Sequence, residues 1–211
     1  MTPPRLPVLG IIGAIGAGKT TAAQTFARRG GVAVDCDRLG HIALAQPEVL
    51  AKLVDRWGTG IVQSDGSPDR RAIGAIVFAA AAERRFLESV AFPAIGALAR
   101  IEIAKVTGDP AVRFVILDAA VLLEAGWGDA CDRIVYVDAP RELRLARVLA
   151  RSGWTEAEMD RREAAQWSPE KRIARAHAVI ANDGAPSDLQ AAVDRLLKDW
   201  GWIDEKECND G

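Results

Sequence analysis

The sequence predicts a three-layer α/β fold: a central parallel sheet of about five strands flanked by helices, extended by a helical insertion and a helical lid. Three observations predict it. Short apolar runs at Pro7–Ile12, Val32–Asp35, Phe114–Asp118, Arg133–Asp138 and Ala178–Ala181 read as buried strands. Helical periodicity fills three of the four intervals between them, as connections between parallel strands commonly do. The first run leads straight into a glycine-rich turn and then a helix.

That turn is Gly13–Thr21, Gly-Ala-Ile-Gly-Ala-Gly-Lys-Thr-Thr. It fits Gly-x4-Gly-Lys-[Ser/Thr], with Gly13, Gly18, Lys19 and Thr20 on the fixed positions. A backbone that curls around phosphate oxygens must point its N–H groups inward, and glycines at 13, 16 and 18 permit that path. Gly16, Ala17, Gly18, Lys19, Thr20 and Thr21 are therefore the expected phosphate cradle. Lys19 can reach β- and γ-phosphates, and the Thr20 hydroxyl can hold Mg²⁺. The helix that follows carries Ala22, Ala23, Phe26 and Ala27 at helical spacing, stops at Gly30-Gly31, and adds the positive end of its dipole. Together these features predict a P-loop NTPase fold.

The second strand ends in Asp35-Cys36-Asp37. Ligands of open α/β sheets bind at the carboxyl ends of strands. Carboxylates there suit either Mg²⁺ coordination through water or proton abstraction from an acceptor hydroxyl, while Asp37 equally reads as a helix cap.

Residues 38–108 read as a mainly helical insertion between core strands. Leu39, Ile42 and Leu44, then Val49, Leu50, Leu53, Val54 and Trp57, mark amphipathic segments. Ser64–Pro68 is a turn, and Asp69 can cap the next helix. Arg70-Arg71 either grip phosphate or form a solvated face. Pro93 interrupts or restarts a helical run that begins before Phe86 and continues through Ile103.

Asp118, closing an apolar strand downstream of the phosphate loop, is either a group that orients Mg²⁺ or a strand-end turn residue. After the fourth strand, Pro140 opens a basic helix whose Arg144, Arg147 and Arg151 share one face. A capping box at Thr155–Glu158 and a Ser168-Pro169 start mark two further helices. In a chain with a phosphate loop, this arginine-rich stretch reads as a lid that excludes water. Asn182-Asp183-Gly184 is the turn after the last strand, Ser187 caps the final helix, and Trp200–Gly211 reads as a polar tail. His41 and His177 read as structural.

Composition bounds the rest. A chain of 211 residues, 49% hydrophobic and 27% charged, suffices for one domain with a substantial core. A net charge of −2 argues against a broad nucleic-acid or membrane surface. No apolar run is long enough to span a bilayer, and Met1–Arg5 lacks signal-peptide features. Cys36, Cys131 and Cys208 are an odd, scattered set that fits a reducing cytoplasm. A monomer or weak homo-oligomer is expected. The expected division is a nucleotide-binding core (about 7–37, 110–139 and 177–198), an acceptor-binding insertion (about 38–108), a lid (about 140–176) and a tail (199–211).

Read as an ordered set, these features resemble the dephospho-coenzyme A kinase family from about Val8 to Leu197. Asp35-Cys36-Asp37 stands where the family carries Asp-Ala-Asp. Asp65-Gly66, Arg70-Arg71-Ala72 and Val77-Phe78 are similar to its Asp-Gly, Arg-Arg and Val-Phe segment, and Asp118–Glu124 to its Asp-x-Pro-Leu-Leu-Phe-Glu. Arg147, Arg151 and Gln166 match the lid, and Val179–Asn182 with Gly184 matches the closing Val-Ile-Asp-Asn-x-Gly. Three positions depart: Phe92 for the histidine of His-Pro, Ala120 for the proline of Pro-Leu-Leu, and Ala176-His177 for Ala-Asp. The resemblance implies transfer of the ATP γ-phosphate to the ribose 3′-hydroxyl of dephospho-CoA, the last step of CoA synthesis, with ATP as co-substrate and Mg²⁺ as metal. It implies Lys19, Asp35 and Arg147 as catalytic residues and Thr20 and Asp118 as the metal site. Arg147, Arg151 and Asn182 would join the cradle around ATP, and Asp35, Arg70 and Arg71 would hold the acceptor. The competing expectations are another P-loop nucleoside or nucleotide kinase and a non-catalytic nucleotide-dependent regulatory module.

Overall fold

β1 (Val8–Gly13) is buried at every residue, and the sheet grows outward from it. The computed structural model describes residues 5–119 and 121–204. Ala120 and Cys208, singled out above, lie outside the described residues.

In chain order, β1 is followed by α1 (Lys19–Ala27), β2 (Gly31–Asp35), α2 (Cys36–Leu44), α3 (Pro47–Trp57), α4 (Arg70–Ala79) and α5 (Ala81–Val106). Then come β3 (Phe114–Asp118), β4 (Arg133–Asp138), α6 (Arg141–Ser152), α7 (Glu156–Ala164), α8 (Pro169–Ile173), β5 (Ala178–Ala181) and α9 (Pro186–Asp199). The sheet order is β2-β3-β1-β4-β5. β3 and β4 flank β1 in parallel, with Ile11 opposite Asp118 on one side and Val135 on the other, and β5 adds to β4 in parallel. The chain thus leaves β1 toward one edge and later crosses to the other. This strand reversal places a crevice at the carboxyl end of β1, where ligands of doubly wound sheets bind.

Two compact units result. The first comprises the described residues of Met1–Val34 and Val106–Gly211. Its core joins Leu9 and Ile11 of β1, Phe114 and Ile116 of β3, Val135 and Val137 of β4 and Ile180 of β5 to Ala22 and Phe26 of α1 and Val193 and Leu197 of α9. Fully burying each of the Val, Leu, Ile and Phe side chains among these contributes about 1.5–3 kcal/mol. The Phe26 ring meets Phe114 edge-on at 6.4 Å, and Arg29, just past α1, grips Asp194 of α9 through two bonds of 2.7 and 2.8 Å. Trp200, Trp202 and Ile203, read from the sequence as the start of a polar tail, pack on this core instead, Trp202 lying 5.3 Å from Phe114.

The second unit, Asp35–Lys105, is helical. Val49, Leu53, Ile61 and Ile73 form its centre, with Trp57 and Phe86 packed edge-on at 5.7 Å. Arg56 lies over the Phe86 ring and pairs with Glu83, which also accepts the Trp57 indole N–H at 2.7 Å. Here α5 runs unbroken for 26 residues through Pro93, correcting the expected interruption. The ring removes one N–H, whose acceptor would have been the Ser89 carbonyl, at a cost of about 3 kcal/mol. Continuing the helix keeps Ala91, Ile95 and Ala99 buried along one face.

The caps follow the sequence with two corrections. Asp69, Thr155 and Ser168 accept N–H groups at the starts of α4, α7 and α8 as expected. At α2 the cap is Asp35, which accepts from Arg38 N–H, while Asp37 lies inside the first turn. At α9 the cap position is Ala185, because Pro186 with its fixed φ already begins the helix. Asp188 reaches back to the Ala185 N–H at 2.9 Å, and Ser187 is a helical residue.

Candidate active site

The glycine-rich stretch closes a tight loop at the carboxyl end of β1 and hands the chain to α1. Gly16 and Gly18 have φ of 77° and 90°, in the left-handed region that other residues enter only at a cost. A Cβ on Gly16 would lie 2.5 Å from the Arg144 carbonyl oxygen, and one on Gly18 would overlap the Asn182 carboxamide. Both glycines are thus required twice, by backbone angle and by close approach.

Lys19 is the first residue of α1. Its Nζ donates to the carbonyl oxygens of Gly13 at 3.1 Å and Ala14 at 3.2 Å, so the ammonium folds back over its own loop. Carbonyls are neutral acceptors, and a phosphate oxygen is the stronger partner for an ammonium. Thr20 and Thr21 are exposed in the first turn of the helix, beside the N-terminal end of its dipole.

Two further predicted residues converge on the loop. Asn182, just after β5, donates its Nδ2 to the Ala17 carbonyl at 2.8 Å, while its own N–H bonds to Asp138. Arg147, on α6, donates to the Asn182 carbonyl at 2.9 Å and to the Gly16 and Ala17 carbonyls at 3.4 Å each. A guanidinium is thereby fixed against the glycine-rich turn. Arg151, one turn further along α6, is exposed.

The other arginines of this region have different work. Arg144 bonds the Ile15 carbonyl at 3.0 Å and the Ala139 carbonyl at 3.1 Å, and pairs with Glu163 of α7. Arg141 pairs with Glu156 and Asp160, also of α7. The face shared by Arg144, Arg147 and Arg151 is thus divided: Arg144 ties α6 to α7 and the loop, and Arg147 faces the loop and Asn182.

Asp118 ends β3, half-buried, with its register partner Ile11 two residues before Gly13. Among the described residues, no three His, Cys, Asp or Glu side chains gather into a metal cluster. The oxygens of Thr20 and Asp118 are hard donors and few in number. That set fits a Mg²⁺ that arrives with phosphates and keeps several waters, not a closed protein cage.

Within the second unit, Asp35 caps α2 through Oδ1, 2.8 Å from the Arg38 nitrogen. The cap read for Asp37 is thus made by Asp35, and the bond orients its carboxylate. Arg70 donates to Nε2 of His41 at 2.7 Å, and Arg71 is exposed. In the first unit, His177 accepts the Ile134 N–H on its Nδ1 at 2.9 Å, stitching the start of β5 to β4.

Sequence reasoning missed Arg172 and the part played by Glu124. Arg172, on α8, is 4% exposed. It donates to the Gly13 carbonyl at 3.2 Å and to Gln166 Oε1 at 2.6 Å, and lies 3.5 Å from Glu124, whose Oε1 accepts the Trp167 N–H. Nothing in the stretch Lys171-Arg172 separates the second cation from its exposed neighbour. The signal was one of helical phase in a helix of five residues, too short to show it. Close by, burial raises the pKa of the Tyr136 phenol above its ordinary value, and the charge of Asp138 adds to the effect.

The chain is similar to known proteins along most of its length. A family model described as dephospho-CoA kinase matches residues 7–188. A dephospho-CoA kinase of Geobacter sulfurreducens is 36% identical over 193 residues, covering 90% of this chain and 96% of the relative. Among solved structures, a Thermus thermophilus protein superposes with a TM-score of 0.78 at 32% identity, covering 93% of this chain and 98% of that one. A dephospho-CoA kinase of Campylobacter jejuni shares the fold, with a TM-score of 0.64 at 19% identity over 92% of this chain and 96% of its own.

Proposed function

The chain belongs to the dephospho-CoA kinase family and is an ATP-dependent kinase, and we propose that the residues assembled above transfer the γ-phosphoryl group of ATP to the ribose 3′-hydroxyl of dephospho-CoA. The products are CoA and ADP, and the reaction is the final step of CoA biosynthesis. The observation that carries this reading is the Gly13–Thr21 loop, where two left-handed glycines and the Lys19 ammonium meet at the carboxyl end of the central strand.

Gly16–Thr21 wrap the ATP phosphates with backbone N–H groups and the α1 dipole. Lys19 leaves its carbonyl partners for the β- and γ-phosphate oxygens and stabilises the negative charge that spreads over them in the transition state. Arg147 adds a second cation from the side of Asn182. Thr20 and Asp118 would hold Mg²⁺, which would neutralise the charge that develops on the phosphates. Asp35 orients the 3′-hydroxyl and takes its proton as the O3′–P bond forms and the bond from the γ-phosphorus to the bridging oxygen breaks, releasing ADP. Arg70 and Arg71 provide cations for the acceptor's phosphates, and Arg151 provides one for ATP. The cytoplasm as the place of reaction belongs to the same reading and is supported by Cys36 and Cys131, which stand as thiols outside any disulfide.

An acceptor panel with ATP tests the assignment. Dephospho-CoA is expected to be phosphorylated in preference to AMP and adenosine; the reverse preference would assign the chain to nucleotide or nucleoside phosphorylation.

A further inference from the structure

Among the described residues, Arg172 is the one buried charged side chain, and its cation points at the first glycine of the phosphate loop. The Gly13 carbonyl oxygen therefore accepts from two cations, Lys19 at 3.1 Å and Arg172 at 3.2 Å. Their situations differ. Lys19 is at the start of an exposed helical turn, and its Nζ donates to the neutral carbonyls of Gly13 and Ala14. Arg172 is held by Gln166 and by the Glu124 carboxylate, and Glu124 is itself fixed by the Trp167 N–H. When a phosphate draws Lys19 away, the arginine stays.

We propose that Arg172 is a positioning residue for ATP binding: it keeps the Gly13 carbonyl engaged when Lys19 transfers to phosphate, and so lowers the cost of releasing the lysine. A buried acceptor deprived of a donor is costly, so a loop without Arg172 would hold Lys19 back. The inference rests on the reading that Gly13–Thr21 binds ATP. It assigns Arg172 no contact with substrate.

Calorimetric titration of ATP into the full chain tests it. Arg172→Met is expected to raise the ATP Kd about tenfold and to raise KM for ATP while leaving kcat within about threefold. Arg172→Lys, which restores a donor and a charge, is expected to recover at least half of that loss on a logarithmic scale. In a Lys19→Met background the Arg172→Met effect on ATP binding should vanish, because there is no lysine to release. A structural role alone would leave the effect intact in that background, and such a result overturns the proposal. So does wild-type ATP affinity in a folded Arg172→Met chain. If Arg172→Met does not fold, Arg172→Lys decides: an affinity between wild type and about threefold weaker, abolished as a difference by Lys19→Met, supports the proposal, and a weaker affinity unchanged by Lys19→Met overturns it. If the wild-type chain itself binds no ATP, the functional reading fails first, and the two failures are thereby distinguished.

Discussion

Nδ2 of Asn182 lies 2.8 Å from the carbonyl oxygen of Ala17, and this bond closes the phosphate loop against the end of β5. Gly18 sits directly beneath the carboxamide, with φ of 90°. Gly18→Ala meets both obstacles together: a left-handed backbone that costs about 1–2 kcal/mol outside glycine and a Cβ in the space of the Asn182 side chain. The variant is expected to lose ATP binding by more than about tenfold while keeping the helical content of the wild type. Nucleotide titration alongside far-ultraviolet circular dichroism checks this.

Lys19→Ala and Asp35→Ala are each expected to lower turnover by orders of magnitude with the fold intact. A fixed charge lost from the transition state typically costs roughly 100- to 1,000-fold, and a lost general base about 100- to 10,000-fold. Asp35 also caps α2, so its removal should destabilise by about 1 kcal/mol. Asp35→Asn separates the effects, since it keeps a capping oxygen without the basic carboxylate. Turnover by Asp35→Asn close to that of the wild type would remove the proton-accepting role.

Five strands and the phosphate loop were legible because their signals are local. Phe114–Asp118, Arg133–Asp138 and Ala178–Ala181 are apolar runs with clear ends, and they form β3, β4 and β5 with those limits. The glycines of the loop carry their backbone requirement in their identity. What could not be read depends on the tertiary structure. Pro93 is tolerated inside α5 because of what the helix buries beyond it. Trp200 and Trp202 pack on a core far away in sequence, and Arg172 is distinguished from Lys171 only by the direction in which a short helix points.

The Cys131 thiol is predicted to be unreactive in the native chain. Burial, with the neighbouring Asp132 charge, pushes its pKa up to about 12, and Sγ donates weakly to the Trp127 carbonyl. At about pH 8 almost none of the thiol would be in the reactive thiolate form. Iodoacetamide labelling mapped by peptide mass spectrometry should find Cys131 unmodified in buffer and fully modified in denaturant.

Glu83 gives the helical unit a defined acid response. Hydrogen bonds from Arg56 and Trp57 pull its pKa from 4.5 to about 2. A carboxylate with a lowered folded-state pKa stabilises above its unfolded pKa and loses that contribution as pH falls toward the folded value. Glu83→Gln should therefore be less stable than the wild type at about pH 7, with the difference shrinking between pH 4.5 and about pH 2. Urea unfolding at a series of pH values follows this, and a difference constant with pH would contradict it.

The most direct measurement is identification of the product formed from ATP and dephospho-CoA by the purified chain. Mass spectrometry with phosphorus NMR is expected to show CoA, carrying its new phosphate on the ribose 3′-oxygen, in one-to-one ratio with ADP. ATP hydrolysed without phosphorylation of dephospho-CoA, or a phosphate on any other oxygen, would contradict the account.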